Sequence, residues 1–226
     1  MFLIKFMFKT VFAIVLVILA VGAYGIYSAR ALPEWFDESK ANTDFAGEAI
    51  KKELGNGGVD LLARKSVDIL RGRVSLDSDE FNALLMASLK ADEDGRKLLE
   101  VSDGVRAFLR QGEIEISAVI NLNKLGKLDP KARSAVEKFD KIFWIIEDGR
   151  IAVSLFGTPV VRRGGIGVKD DFHARVGEIS LSNDTLRSLK VPVERANQSE
   201  MAVKYLSLKS VSVVPGKIDF KVQPRL

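Results

Sequence analysis

Cysteine is absent from all 226 residues, and histidine occurs once, as His173. The first absence excludes disulfides, thiol nucleophiles and thiolate metal sites. The second excludes the multi-histidine sets that hold zinc. Low-complexity runs and repeats of 20–50 residues are also missing. A strong charge of one sign is missing too, although the formal net charge is +4. Lys5, Lys9 and Arg30 carry most of that excess. Residues 31–226 keep 31 basic and 30 acidic side chains, which is no electrostatic footprint for nucleic acid. The balance is uneven along the chain. Residues 31–159 hold 19 basic and 23 acidic groups, and residues 160–226 hold 12 and 7. The second ratio suits anionic head groups, and equally a solvated mixed surface.

The apolar content is ample. Hydrophobic residues make up 47% of the chain and charged residues 28%, enough for a packed core. Part of it is concentrated in VFAIVLVILAVGAYGIY, Val11 to Tyr27, which carries no charge. As a helix this run spans roughly 25 Å, and with its flanking residues it is long enough to cross a bilayer. Lys5 and Lys9 precede it, whereas Glu34, Asp37 and Glu38 follow Arg30. The positive-inside rule then places residues 1–9 in the cytoplasm, a signal-anchor helix over 10–29, and the remainder outside. Tyr24, Tyr27 and Trp35 suit the outer interface. The rival reading is a signal peptide cut at Ala29-Arg30-Ala31. Both readings export the domain.

Residues 30–64 read as a linker with a short helix over 42–54, broken by the glycines of GNGG at 55–58. The extracytoplasmic domain then runs from 65 to 226. Val67 to Leu76 reads as a strand. Asp77 and Glu80 have capping-box spacing, so a helix starts at Ser78 and continues to Lys90. Phe81, Leu84, Leu85 and Leu89 lie along one side of it. From Val105 the pattern turns to strand. Val105, Ala107 and Leu109 alternate, Gln111-Gly112 is a turn, and EIEISAVINL puts Ile114, Ile116, Ala118, Ile120 and Leu122 on a dry face. Glu113, Glu115, Ser117 and Asn121 fall on a wet one. A second helix is expected over 130–143. Ile151, Val153 and Leu155 form the next strand, Arg162 to Gly165 a turn, and Val176 to Leu181 another strand. Asn183 or Asp184 caps a short helix. Leu206–Val214 and Ile218–Val222 pair across a type II turn at Pro215-Gly216. The class is α+β, with antiparallel strands.

Chemistry leaves little trace. His173 follows Asp170 and Asp171, but no G-x-S-x-G elbow supplies it with a nucleophile. Asp92, Glu93 and Asp94 lack the glycine and distal glutamate of a calcium loop, and they read as a solvated helix end. RRGGIG at 162–167 has neither P-loop nor dinucleotide spacing, and reads as a hairpin turn. Neither a cofactor nor a metal is expected, and the chain does not read as an enzyme.

The run RVSLDSDEFNALL, with Glu80, Phe81, Asn82, Leu84 and Leu85, resembles the strand-to-helix entry of YpmS-like and LmeA-like envelope proteins. These are exported relatives of the tubular lipid-binding (TULIP) superfamily. EIEISAVINL, GRIAVSLFGTPV, ARVGEISL and the final PGKIDFKV follow a similar order, so the likeness spans about residues 65–223. It rests on short motifs, and the helix expected over 130–143 departs from the family pattern. The resemblance implies a highly curved antiparallel sheet wrapped around an amphipathic helix, with an apolar channel for lipid. Together with the strand alternation, it nominates Phe81, Leu84, Leu85, Leu89, Ile114, Ile116, Ile120, Ile151 and Val153 as channel lining. Asn82 is expected to make a structural hydrogen bond. The function implied is lipid binding or transfer by a single-pass protein of the inner membrane, its domain in the periplasmic or extracytoplasmic space. The partner would be membrane lipid. The alternative is a non-catalytic scaffold of an envelope complex, with a protein partner. The two part on whether the apolar face is a channel or filled core.

Overall fold

The computed structural model describes residues 32–36, 65–128, 149–162, 165–188 and 206–224. The expected anchor at 10–29, the short helix at 42–54 and the helix at 130–143 lie outside these residues. No helix among the described residues is long and apolar enough to cross a membrane.

The elements are α1 (Ser66–Leu70), β1 (Arg73–Asp77), α2 (Ser78–Ala91), α3 (Glu93–Val101), β2 (Ser102–Leu109), β3 (Ile114–Asn121) and α4 (Leu122–Leu128). There follow β4 (Arg150–Gly157), β5 (Pro159–Arg162), β6 (Gly165–Val168), β7 (His173–Val176), β8 (Ile179–Leu181), α5 (Asn183–Ser188), β9 (Leu206–Val214) and β10 (Lys217–Pro224). The class is α+β, and every strand pairing is antiparallel. A three-stranded sheet has the order β1-β10-β9, a five-stranded sheet β2-β3-β4-β7-β8, and β5 and β6 form a separate hairpin. Two backbone hydrogen bonds tie the first two sheets together at their turns. Gly216 N donates to Leu109 O at 3.0 Å, and Gly112 N donates to Val213 O at 2.9 Å.

The cap of α2 forms as its spacing predicts. Asp77 Oδ1 accepts from Glu80 N at 2.8 Å, and Glu80 Oε2 accepts from Asp77 N at 3.1 Å. The turn at Pro215-Gly216 also forms, with Gly216 at φ 78°, the left-handed conformation that the third position of a type II turn requires.

Several elements depart from the sequence reading. The strand expected from Val67 begins only at Arg73, because residues 66–70 coil into α1 and Gly72 turns at φ 74°. Val67 is 53% exposed and Leu70 87%; β1 finds its partner β10 only from Arg73, opposite Lys221. Val176–Leu181 is not one strand. Gly177, at φ 53°, folds it into the β7–β8 hairpin, with Val176 opposite Ile179, in keeping with a two-residue Gly-X loop. Leu122 leaves the strand and opens α4. The acidic triplet does follow a helix end, since Asp92 is the residue that closes α2, but it also opens a second helix and is not solvated at Asp92. Asp92, only 3% exposed, caps α3 by accepting from Asp94 N and Gly95 N. For α5, Ser182 Oγ rather than Asn183 or Asp184 accepts from Thr185 N.

The largest correction concerns β3. Its polar side is not wet: Glu115 and Ser117 are each 2% exposed, whereas Ile114 and Ile116 are only half-buried. The Arg110 and Arg175 side chains that hydrogen-bond Glu115 lie over it, and Ser117 pairs with Ser154 of β4.

Candidate functional site

The three-stranded sheet has one apolar face. The register pairs Val74 with Phe220 and Leu76 with Ile218, and Ile218 with Val213 and Phe220 with Val211. The other face carries Arg73, Ser75, Asp219 and Lys221. Helix α2 lies against β1, β2 and β10. Leu76, Ala83, Leu109, Val213 and Ile218 form a buried cluster there. Around it pack apolar side chains that remain partly exposed, among them Val74, Phe81, Leu84, Ile114, Val211 and Phe220. The result is a small apolar compartment filled by its own side chains, a buried core with a partly exposed rim, and the tips of the β2–β3 and β9–β10 hairpins meet beside it.

The far side of α2 meets the five-stranded sheet at its edge. Among the described residues no strand lies beyond β2. Asn82 takes the place of one: its Nδ2 donates to Ala107 O at 2.9 Å, and its Oδ1 accepts from Ala107 N at 2.7 Å. Its Nδ2 also reaches Ser78 O at 2.8 Å. The amide thus matches both backbone groups that an edge strand exposes, which agrees with the structural role read for it.

The nine nominated residues divide into three sets. Phe81, Leu84 and Ile114 meet at the compartment rim. Ile114, Ile116, Ile120, Ile151 and Val153 share one face of the five-stranded sheet, where the register sets Ile116 opposite Leu155, Ala118 opposite Val153 and Ile120 opposite Ile151. Ile120, Ile151 and Val153 are at most 1% exposed. Leu85 and Leu89, 8% and 0% exposed, are buried outside the compartment cluster. At about 100° per residue they fall roughly 60° and 20° from Asn82, both on the same side of it, toward β2. Ile114 is the link, standing on the sheet face and in the rim alike. The sequence nominated neither the final hairpin nor β1 as lining, although both alternate cleanly. What it could not give was the pairing that brings them under α2.

The opposite face of the five-stranded sheet is polar, aromatic and organised in cross-strand rows. One row is Phe108, Glu115, Phe156 and His173; the next is Arg106, Ser117, Ser154, Arg175 and Ser180. Glu115 accepts from Arg110 Nε at 2.6 Å, Arg175 Nη2 at 3.1 Å and Ser117 Oγ at 3.1 Å. His173 stacks on Phe156 with ring centroids 4.6 Å apart. Its Nδ1 lies 3.3 Å from Asp171 O and 3.8 Å from Glu113 Oε1. Ser117 and Ser154 share a 2.6 Å hydroxyl contact. At the other end, Asp103 accepts from Arg150 Nε at 2.6 Å, Lys124 Nζ at 2.7 Å and Asn121 Nδ2 at 3.2 Å. Burial pushes the Asp103 carboxyl up. The hydrogen bonds from Lys124, Arg150 and Asn121, with the Lys124 charge, outweigh it and hold the group below the usual carboxylate value. Among the described residues no three His, Asp or Glu side chains gather as a metal site.

No family model, no curated protein and no solved structure matches this chain. The functional reading therefore rests on the residues themselves.

Proposed function

We propose that the chain is a membrane-anchored bacterial envelope protein whose extracytoplasmic domain binds or transfers lipid, with an acyl chain lodged between α2 and the three-stranded sheet. The observation that carries this reading is the compartment rim. A cluster of five buried residues is too small to bury the apolar side chains around it, and Phe81, Leu84, Val74 and Phe220 stay partly exposed. Lipid and small-molecule sites are lined predominantly by apolar and aromatic side chains, and this rim offers such side chains. The apolar run at Val11–Tyr27 supports a bilayer as the source of the ligand. The two hydrogen bonds joining the hairpin tips of the two larger sheets support a wrapped, TULIP-like sheet with α2 in its hollow.

The test uses the full chain purified in detergent. Native mass spectrometry is expected to find co-purified phospholipid, and a fluorescent phospholipid is expected to bind. Leu84→Glu, which places a charge in the rim, abolishes binding, whereas Ser210→Glu on the polar face of the same sheet leaves it unchanged. A wild-type chain that carries and binds no lipid would sink this reading and put the scaffold function in its place.

A further inference from the structure

We infer that the exposed tip of α1 is where the domain enters the bilayer that anchors it. Val67 and Leu70 insert just below the head groups, and Arg71 and Arg73 bind head-group phosphate. The inference rests on the anchor reading above, but not on the compartment.

The first observation is exposure. Helix α1 buries none of its residues. Val67 is 53% exposed and Leu70 87%, the two most exposed large apolar side chains among the described residues. A single exposed leucine is ordinary on a protein surface. These two stand three positions apart on a helix, about 60° from one another, and project together. The turn that displays them is held in place. Val67 O accepts from Arg71 N and Ile69 O from Gly72 N, each at 3.0 Å. Lys65 Nζ meets Glu80 Oε1 at 2.9 Å, which ties the start of α1 to the capped end of α2.

The second observation is charge. The ionic groups of residues 65–73 are Lys65, Asp68, Arg71 and Arg73. Lys65 is paired with Glu80, and Asp68 is half-buried. Arg71 and Arg73 are exposed, as is Lys221, which stands opposite Arg73. None of these three forms an ion pair among the described residues. Lys217 and Asp219 pair with each other at 3.2 Å. Asp77 and Asp79 stand beyond the other end of β1, where Asp77 lies opposite Lys217, roughly 13 Å along the strand from Arg73. The apolar tip is thereby flanked by unpaired cations, and guanidinium groups match phosphate.

Size and tether select a bilayer as the occupant. Two side chains fall far short of the roughly 800 Å² that each partner of a stable protein interface buries. They suffice for a domain already held at the membrane, where the effective concentration of lipid is high. From Arg30 to Trp35 the chain stretches at most roughly 18 Å, and Trp35 packs on Phe108 of β2, ring centroids 6.2 Å apart. Strands β1 and β2 both pack on α2. The strand beside α1 is thus one helix away from the strand to which the anchor delivers the chain.

The chain contains no cysteine, so single labels report cleanly. Ser66→Cys places an environment-sensitive fluorophore beside Leu70. Ser180→Cys places it on β8, the far edge of the five-stranded sheet, as the control. Full-length protein is incorporated into nanodiscs of phosphatidylglycerol and phosphatidylcholine carrying a nitroxide on the upper acyl chain. The label at 66 is expected to shift to the blue and be quenched, and the label at 180 to do neither. Leu70→Glu abolishes both signals at 66. Its circular dichroism melt matches wild type, because Leu70 packs on little. Arg71→Gln and Arg73→Gln each lower the ratio of inserted to free tip by about fivefold, and discs of phosphatidylcholine alone lower it further. A label at 66 as wet and unquenched as the label at 180 would overturn the inference. So would a signal at 66 that survives Leu70→Glu, or one indifferent to phosphatidylglycerol and to both arginine substitutions. In each of these cases the chain stays in the disc, and the anchor reading stands. A chain that washes off the discs overturns both. Loss of fluorescent-lipid binding in Leu84→Glu, by contrast, reports on the compartment alone.

Discussion

Asn82 on α2 and Ala107 on β2 exchange two hydrogen bonds, at 2.7 and 2.9 Å, across 25 residues of sequence. A side-chain amide thereby completes the edge of a five-stranded sheet and fixes the rotation of the helix that lies between two sheets. Asn82→Ala strands the Ala107 N–H and C=O where no strand replaces them. The expected loss is about 1–3 kcal/mol in chemical denaturation. Asn82→Asp keeps the acceptor and loses the donor, and should fall between wild type and alanine. A mutant as stable as wild type would mean that α2 is held by packing alone.

The reciprocal Asp77–Glu80 cap predicts that Asp77→Ala costs about 0.5–2 kcal/mol. Asp77→Ser retains an acceptor and recovers most of it. Thermal melts of the two variants make the comparison. Identical losses for both would remove the cap as the cause.

Asp103 gives the domain an acid limb. Its folded value lies below its unfolded one, so its contribution to stability is present above the unfolded value, near pH ~3.9, and fades as pH falls through the folded value. Asp103→Asn removes that contribution. The mutant is expected to be less stable than wild type at neutral pH, and the two stability curves should converge as pH falls below ~4. Urea midpoints across this range test it. A difference independent of pH would assign the effect of Asp103 to shape rather than charge.

Gly104 leaves room for Trp35. A Cβ there comes within 3.3 Å of the indole, and the branches of valine have no space beyond it. Gly104→Val is expected to displace Trp35 from β2 and shift tryptophan emission to the red. In a Trp144→Phe background the signal belongs to Trp35 alone. An unchanged spectrum would show that residues 33–36 do not rest on this strand.

The buried residues of the five-stranded sheet predict the cost of a hole. Val153, at 0% exposure, and Ile120, at 1%, stand in close packing. Ile120→Ala is expected to lose about 2–5 kcal/mol, and Leu84→Ala, at the partly exposed rim, markedly less. Equal losses would mean that the rim is packed as tightly as the core, which counts against a lipid site there.

By itself the sequence determined what depends on neighbours along the chain. The Asp77–Glu80 cap, the start of α2, the Pro215-Gly216 turn and the alternation of β3, β4, β9 and β10 all arise from contacts within a few residues, and all were legible. The apolar character of Phe81, Leu84 and Ile114 was legible too. Tertiary structure decided which side of each strand is covered. Alternation in EIEISAVINL marks two faces, but Glu115 is buried because Arg110 and Arg175, the latter 60 residues away, reach it. The same applies to Val67–Leu76, apolar enough for a strand but helical in its first half, where β10 gives it no partner. The split of α2 between the compartment and the β2 edge likewise comes from strand pairing, since a helix carries its apolar residues in its sequence but acquires separate sides only from the surfaces placed against it. Local rules act through backbone geometry over a turn or two of chain, whereas burial is a property of what the rest of the chain brings to the same place.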